Sequence, residues 1–301
     1  MTSMPLRDPV AIDKVVARLA ESRPAYAAIL SFYGPVFLAQ ARAAADTAPT
    51  PIGADEAAMQ MRQREGFALI EPASFTVDLE AAEHLLAVIC GLAVAAGEKL
   101  GAAGKALASA MAEGAAMEDL FLDVLDEKGR LQSLAEKKDV RPDMLSLLLY
   151  LAIRPSIEKG ARQLAVCQTG DSVLRSNCPI CGSAPILGEL DADGKQWVHC
   201  SLCWHRWPVE RMVCLFCDNR SSDALTYLYS ETEPEYRINL CEGCKQYLKV
   251  VDTRKLDRGF YPPLEQVASL HLDMMARDRG FTHFLDAGGS AVGVQPSSAQ
   301  E

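Results

Sequence analysis

Eight of the ten cysteines in this chain fall into four C-x-x-C units: CPIC (178–181), CSLC (200–203), CLFC (214–217) and CEGC (241–244). A C-x-x-C turn aims two sulfurs at one point, at about the separation two thiolates need on a tetrahedral ion. One pair supplies half of a coordination shell, and two pairs complete it. The first and second units are 18 residues apart, the third and fourth 23. The shorter gap is a metal-site spacing and the longer one only slightly exceeds it. The pattern occurs twice in tandem, so the expected chemistry is two mononuclear centres, each with four cysteine ligands. Thioredoxin-like redox pairs are the competing reading, but those sit at a helix start after a strand. Here the pairs adjoin turn formers such as Gly182, Asp218 and Asn219. Four thiolates suit zinc or a single iron ion, and the residues alone leave that choice open.

The elements that must hold these sulfurs read as β-hairpins. PILGEL (185–190) and QWVHC (196–200) flank Asp193-Gly194, and ALTYLYS (224–230) and EYRINLC (235–241) flank ETEP. Alternating strands joined by such turns are a hairpin pattern. Each hairpin lies between the first and second, or third and fourth, units. The sequential pairing therefore needs no crossed connection: Cys178, Cys181, Cys200 and Cys203 on one ion, and Cys214, Cys217, Cys241 and Cys244 on the other. A further strand is expected at 246–253. An amphipathic helix follows at 264–281, with Val267, Leu270, Leu272, Met274 and Met275 inward and Gly280 as its stop.

The ten residues between the second and third units reach only about 35 Å fully extended, so the two ribbons must be neighbours. Trp204, Trp207, Pro208 and Val213 are expected to pack them together. Exposed instead, Trp204, Arg206, Trp207 and Arg211 would make a partner contact, because Trp and Arg are enriched in binding hot spots. His199 and His205 flank the second unit. They are candidates for hydrogen bonding around the metal or for exchange with a cysteine ligand, although eight cysteines already suffice. Cys90 and Cys167 read as buried packing residues.

The first 170 residues have a different grammar. They are rich in Ala and Leu with helical spacing of apolar positions. Helices are expected at 13–20, at 35–46 with Pro35 in the first turn, at 78–100 with Asp78 as N-cap, at 102–126, and at 143–168, broken or kinked at Pro155. TAPTPIG (47–53) and EPAS (71–74) read as linkers. The Ala/Gly bias of 91–116 suggests close helix packing. The fold class is thus α+β. An all-α domain (1–170) precedes two rubredoxin-like or zinc-ribbon modules (171–212 and 213–286, the second with the C-terminal helix) and a tail (287–301) expected to be mobile.

Composition narrows the function. The chain has 301 residues, 49% of them hydrophobic, and a net charge of −10. Between 178 and 258 there are 10 Lys/Arg against 12 Asp/Glu, and each four-thiolate site holding a divalent ion adds about −2. That disfavours a nucleic-acid-binding ribbon. The start, MTSMPLRDPVAIDK, has no basic segment before an apolar run, and the most apolar stretch (85–97) is short, so a cytoplasmic protein without membrane insertion is expected. There is no phosphate-binding glycine motif, no nucleophile motif and no convergence of His with carboxylates, so no catalytic residue is assigned.

CPICGSAP, VHCSLCWHRWPVERMVCLFCDN, CEGCKQYLKVVD and a closing helix together resemble the formate dehydrogenase accessory protein FdhE family. The resemblance runs from 178 to about 284. It includes Trp207, Arg211 and Tyr247-Leu248-Lys249, while the acidic pair before the last helix is represented by Glu265 alone. It implies a cytoplasmic maturation factor without enzymatic turnover. Such a factor would bind the catalytic subunit of a molybdenum-containing formate dehydrogenase before export, with iron favoured at the two sites. The alternatives are an iron-containing electron-transfer protein and a nucleic-acid-binding zinc-ribbon protein.

Overall fold

The computed structural model describes residues 7–47, 52, 55–168 and 176–284. The expected tail at 287–301 and the boundary near 170 lie outside the described residues. The chain forms two compact units, one from Leu6–Gly53 and Ala73–Gln163, the other including Ala54–Pro72 and Leu164–Glu301. Residues 54–72, expected in the helical half, therefore belong with the cysteine-rich half.

The helices are α1 (Pro9–Ser22), α2 (Ala27–Asp46), α3 (Glu56–Arg64), α4 (Leu79–Ala95), α5 (Glu98–Ala112), α6 (Met117–Asp126), α7 (Arg130–Lys138) and α8 (Pro142–Ala165). All but α3 and the end of α8 lie in the first unit. Their starts follow local chemistry. The Asp8 carboxylate accepts the Ala11 N–H at 2.9 Å, and that of Asp78 accepts the Ala81 N–H at 3.1 Å, satisfying amides that a helix leaves unpaired at its N-terminus. The expected helices at 78–100 and 102–126 are redistributed. α4 ends at Ala95 and α5 at Ala112, where Gly114 takes φ of 73°, so α6 starts afresh. The Ala/Gly bias does reflect close packing: a Cβ on Gly104 of α5 would lie 2.9 Å from the Cys90 carbonyl oxygen of α4.

Pro35 does not start a helix as expected, and no break occurs at Pro155. Pro35 lies inside α2, which begins eight residues earlier, and α8 runs through Pro155. Pro155 has no N–H to give the Leu151 carbonyl one turn back. The Gln40 amide supplies it, donating from Nε2 to Leu151 O at 2.7 Å, while Arg154 Nη1 donates to Gln40 Oε1 at 3.2 Å. Gln40→Leu should therefore lower the stability of the helical unit by about 1–3 kcal/mol, the penalty for orphaning buried polar groups. Chemical denaturation checks this, and a variant as stable as wild type would remove the proline-rescue role.

In the second unit six strands form one sheet: β1 (Pro185–Leu190), β2 (Gln196–Cys200), β3 (Arg206–Pro208), β4 (Leu225–Ser230), β5 (Glu233–Cys241) and β6 (Tyr247–Asp252), in the order β3-β2-β1-β6-β5-β4. Each module contributes an antiparallel triplet. The triplets join where β1 pairs in parallel with β6, Gly188 opposite Val250. The two modules are thus joined by a continuous backbone ladder. The closing helix is two, α9 (Pro262–Ala268) and α10 (Leu270–Arg277). The break at Ser269, whose hydroxyl donates to the Glu265 carbonyl at 2.7 Å, resets the helical phase. Val267 and Leu272 are buried, whereas Leu270 and Met274, expected inward, are exposed. α9 packs on β1 and α10 on β5 and β6. Beneath them Lys249 Nζ donates to Asp273 Oδ2 at 2.7 Å, and Arg258 donates to Glu265 at 2.8 Å. Among the described residues no helix is long and apolar enough to cross a membrane.

Candidate metal centres

Each C-x-x-C unit folds into the same knuckle. The backbone N–H of its first cysteine donates to the carbonyl five residues on: Cys178 to Ser183, Cys200 to His205, Cys214 to Asn219 and Cys241 to Gln246, at 2.9 to 3.0 Å. The residue after the second cysteine is left-handed in all four: Gly182 (φ 79°), Trp204 (55°), Asp218 (55°) and Lys245 (57°). Three of these conformations strain a residue that carries a Cβ. They fold the chain back so that both sulfurs point the same way.

The hairpins then bring the knuckles together in the sequential pairs. Cys178, Cys181, Cys200 and Cys203 form one group and Cys214, Cys217, Cys241 and Cys244 the other, all ligand atoms of a group within 4.8 Å of one another. In the first, Cys178 Sγ is 3.6 Å from Cys203 Sγ, and Cys181 Sγ is 3.5 Å from Cys200 Sγ. In the second, Cys214 to Cys244 and Cys217 to Cys241 are each 3.6 Å. Four sulfurs about 2.3 Å from a central ion stand roughly 3.8 Å apart, whereas a disulfide needs about 2.05 Å. The geometry is that of a tetrahedral thiolate cage, and both groups fit zinc or iron alike.

The cages differ in exposure. All four cysteines of the first are buried. In the second Cys217 is exposed and Cys244 half-buried. The cause lies in the segment misassigned from the sequence: the Leu69 and Ile70 N–H groups donate to the Pro179 and Ile180 carbonyls at 3.0 Å, laying 68–70 across the first knuckle.

Burial raises Cys178 and Cys203 well above the ordinary thiol range. At Cys181 burial acts the same way but is outweighed by hydrogen bonding with Cys178, Cys200, Cys203 and Ser183, which holds the thiol well down. In the second group burial raises Cys214 and pushes Cys244 up to about 11. Cys241, also raised by burial, is lowered on balance by hydrogen bonds led by the Cys244 backbone N–H. An entering ion must therefore displace protons from Cys178 and Cys203, or from Cys214 and Cys244. Anaerobic titration of the metal-free protein at pH 7.5 should release at least two protons per bound ion, and affinity should rise with pH. Release of fewer than one proton per ion in a weakly buffered titration would contradict this.

The flanking residues find other partners. His199 Nε2 lies 2.9 Å from Glu189 Oε2, and burial keeps His199 below its usual range. His205 is stacked on Trp207 and pulled down to about 4 by burial. Neither joins a sulfur group. Trp207 is buried and Trp204 half-buried. Arg206 makes two 2.8 Å hydrogen bonds to fully buried Glu189, with its guanidinium 3.8 Å above the Trp197 ring. Of the four residues expected at a partner surface, Arg211 is the exposed one. Cys90 is buried, with its thiol raised to about 11, but Cys167 is half-buried, contrary to expectation, because it lies just beyond the end of α8. Glu189, which the sequence offered only as one more strand residue, anchors this ion-pair cluster; a lone acid between Gly188 and Leu190 was its only signal.

Residues 177–211 match the model of the FdhE central domain. A protein FdhE homolog from Aquifex aeolicus is 30% identical over 166 residues, covering 53% of this chain and 58% of that protein. One from Haemophilus ducreyi is 33% identical over 147 residues, covering 48% and 47%. The matched portion thus spans about half the length of these relatives. The crystal structure of the FdhE protein from Pseudomonas aeruginosa superposes with a TM-score of 0.66 at 23% identity, covering 94% of this chain and 95% of that one, so the fold is shared across nearly the whole length.

Proposed function

We propose, from the premise that this chain belongs through its central domain to the FdhE family, that it is an accessory factor in the maturation of formate dehydrogenase and not a catalyst. It would bind the immature catalytic subunit of a molybdenum-containing formate dehydrogenase in the cytoplasm. The observation that carries the reading is the pair of thiolate cages in one sheet, the first of them, with Cys178, Cys181, Cys200 and Cys203, inside the stretch that matches the family's central domain. The eight thiols of the two groups would be taken up by two ions. With four protein ligands on each, no coordination position remains for a substrate, which is the arrangement of structural rather than catalytic metal sites. Iron is the metal favoured by the resemblance, and zinc fits the cages equally.

The exposed Cys217 favours a second reading for one site. An ion there lies near solvent and could exchange electrons with a partner, as in an electron carrier.

Deletion of the gene, with complementation by wild type, tests the function. Formate dehydrogenase activity should fall in the deletion strain, and the tagged protein should capture the catalytic subunit from it. Full activity without the gene, together with no capture, would overturn the proposal. Loss of activity with capture intact in a Cys217→Ser variant would favour the electron-transfer reading.

A further inference from the structure

The four cysteines of the first cage are each at most 2% exposed, and a segment remote in sequence helps to cover them. Residues 68–70 belong to the same unit as the cage. Their bonds go to Pro179 and Ile180, the two residues between the cysteines of the first knuckle. Leu69 and Ile70 are themselves 2% and 4% exposed, so the segment is packed down and not merely laid over the surface. A Cβ on Gly182, just past the knuckle, would lie 3.6 Å from the Ala68 Cβ, which is ordinary van der Waals contact. The two modules are otherwise built alike. Ser201 N–H donates to the Ala184 carbonyl at 3.0 Å in the first, and Glu242 N–H to the Ala224 carbonyl at 2.8 Å in the second. Only the strap has no counterpart. Among the described residues no backbone N–H donates to the Leu215 or Phe216 carbonyl of the third knuckle. Both residues are half-buried, and Cys217 is exposed.

The strap is tied to α3 and moves with it. Arg62 Nε donates to the Ala68 carbonyl, and the Phe67 N–H to the Arg62 carbonyl, each at 2.8 Å. Lifting this piece breaks the two backbone bonds to the knuckle and exposes Leu69 and Ile70. It disturbs no strand of the sheet and displaces no cage cysteine. A local opening of that size costs less than global unfolding. Its consequence falls on ligand exchange. An ion leaves a thiolate cage when a competing ligand reaches it as one sulfur lets go. At the second cage Cys217 is open to that attack, whereas at the first no sulfur can be reached until the strap lifts.

We infer that α3 and residues 68–70 form a lid that sets the rate of ion exchange at the first cage. The two cages thereby differ in role: the first retains its ion and the second exchanges it. The device acts the same way on zinc and on iron, and it is independent of whether the formate dehydrogenase reading holds.

The probe is cadmium(II), loaded into both cages of the full-length protein and followed by cadmium NMR. Coupling to cysteine Hβ atoms assigns one resonance to each cage, and EDTA is added in increasing excess. Release from the second cage should rise in proportion to EDTA. Release from the first should be slower by about tenfold or more and should level off at high EDTA, where opening of the lid becomes limiting. Leu69→Pro removes the N–H that bonds Pro179. It should raise the plateau rate of the first cage about tenfold, the upper range for one lost backbone hydrogen bond, and leave the second cage unchanged. If that variant misfolds, both rates will rise together. Leu69→Ala, which keeps the N–H and loses the packing, should then speed the first cage alone. Equal release from both cages of the wild type would overturn the inference. So would first-cage release that stays proportional to EDTA without a plateau, or that responds to neither variant.

Discussion

Cys178→Ser will weaken metal binding at the first cage by about a hundredfold and loosen the second cage as well. Structural Cys-rich sites hold their ions with an apparent 10–16 kcal/mol, so losing one of four thiolates removes on the order of 3 kcal/mol. The coupling comes from the sheet. β1 leaves the first knuckle and pairs with β6, which follows the fourth, over Leu187–Leu190. Fraying β1 therefore exposes the strand that positions Cys241 and Cys244. Anaerobically purified wild type should carry about two ions per chain, the number that eight thiolates saturate. In the variant, a chelator should remove the ion of the second cage at least several-fold faster than from wild type. Helical circular dichroism of the first unit should persist. Unchanged release from the second cage would show that the two modules behave independently despite the shared sheet. As controls, Cys90→Ala and Cys167→Ala should leave metal content unaltered, since neither thiol belongs to a cage.

Arg206→Ala will destabilise the second unit by about 3–5 kcal/mol, the range for removing one partner of a buried ion pair. Glu189 has no exposed surface and receives both Arg206 hydrogen bonds. Without the guanidinium its carboxylate keeps only His199, whose protonation burial opposes. Thermal or denaturant unfolding reads the loss, and a change under 1 kcal/mol would mean that Glu189 finds another cation. Any failure of an Arg206 variant to capture a partner must accordingly be read first as a folding defect. Arg211, exposed and without a comparable ion pair, is the position where a charge reversal tests surface recognition.

The grouping of the eight cysteines was legible because C-x-x-C spacing acts locally. Four knuckles closed by bonds five residues apart need little from the rest of the chain, and the first hairpin appears at 185–190 and 196–200 as read. What long-range contacts decide was not legible. Nothing in the residues near 68–70 announces that their amides cap the first knuckle. Nothing in Pro155 reveals that Gln40, over a hundred positions earlier, completes its helix. The breaks at Gly114 and Ser269 were hidden by flanking residues that are good helix formers on both sides. Trp207 and Arg206 carry hot-spot side chains, yet their strand pairing with Val198 and His199 turns them into framework.

The parallel seam relates the two modules by a shift along the sheet, not by a twofold axis. Each triplet offers one kind of edge on one side and the complementary kind on the other. Units that join head to tail in this way have no built-in stop, and they grow into filaments unless the terminal edges are blunted. Here one end is β3, three residues long and finishing in Pro208, which cannot donate to a further ladder. Polymerisation is thereby halted at two modules on that side, and β4 alone keeps the valence that β1 has already spent on β6.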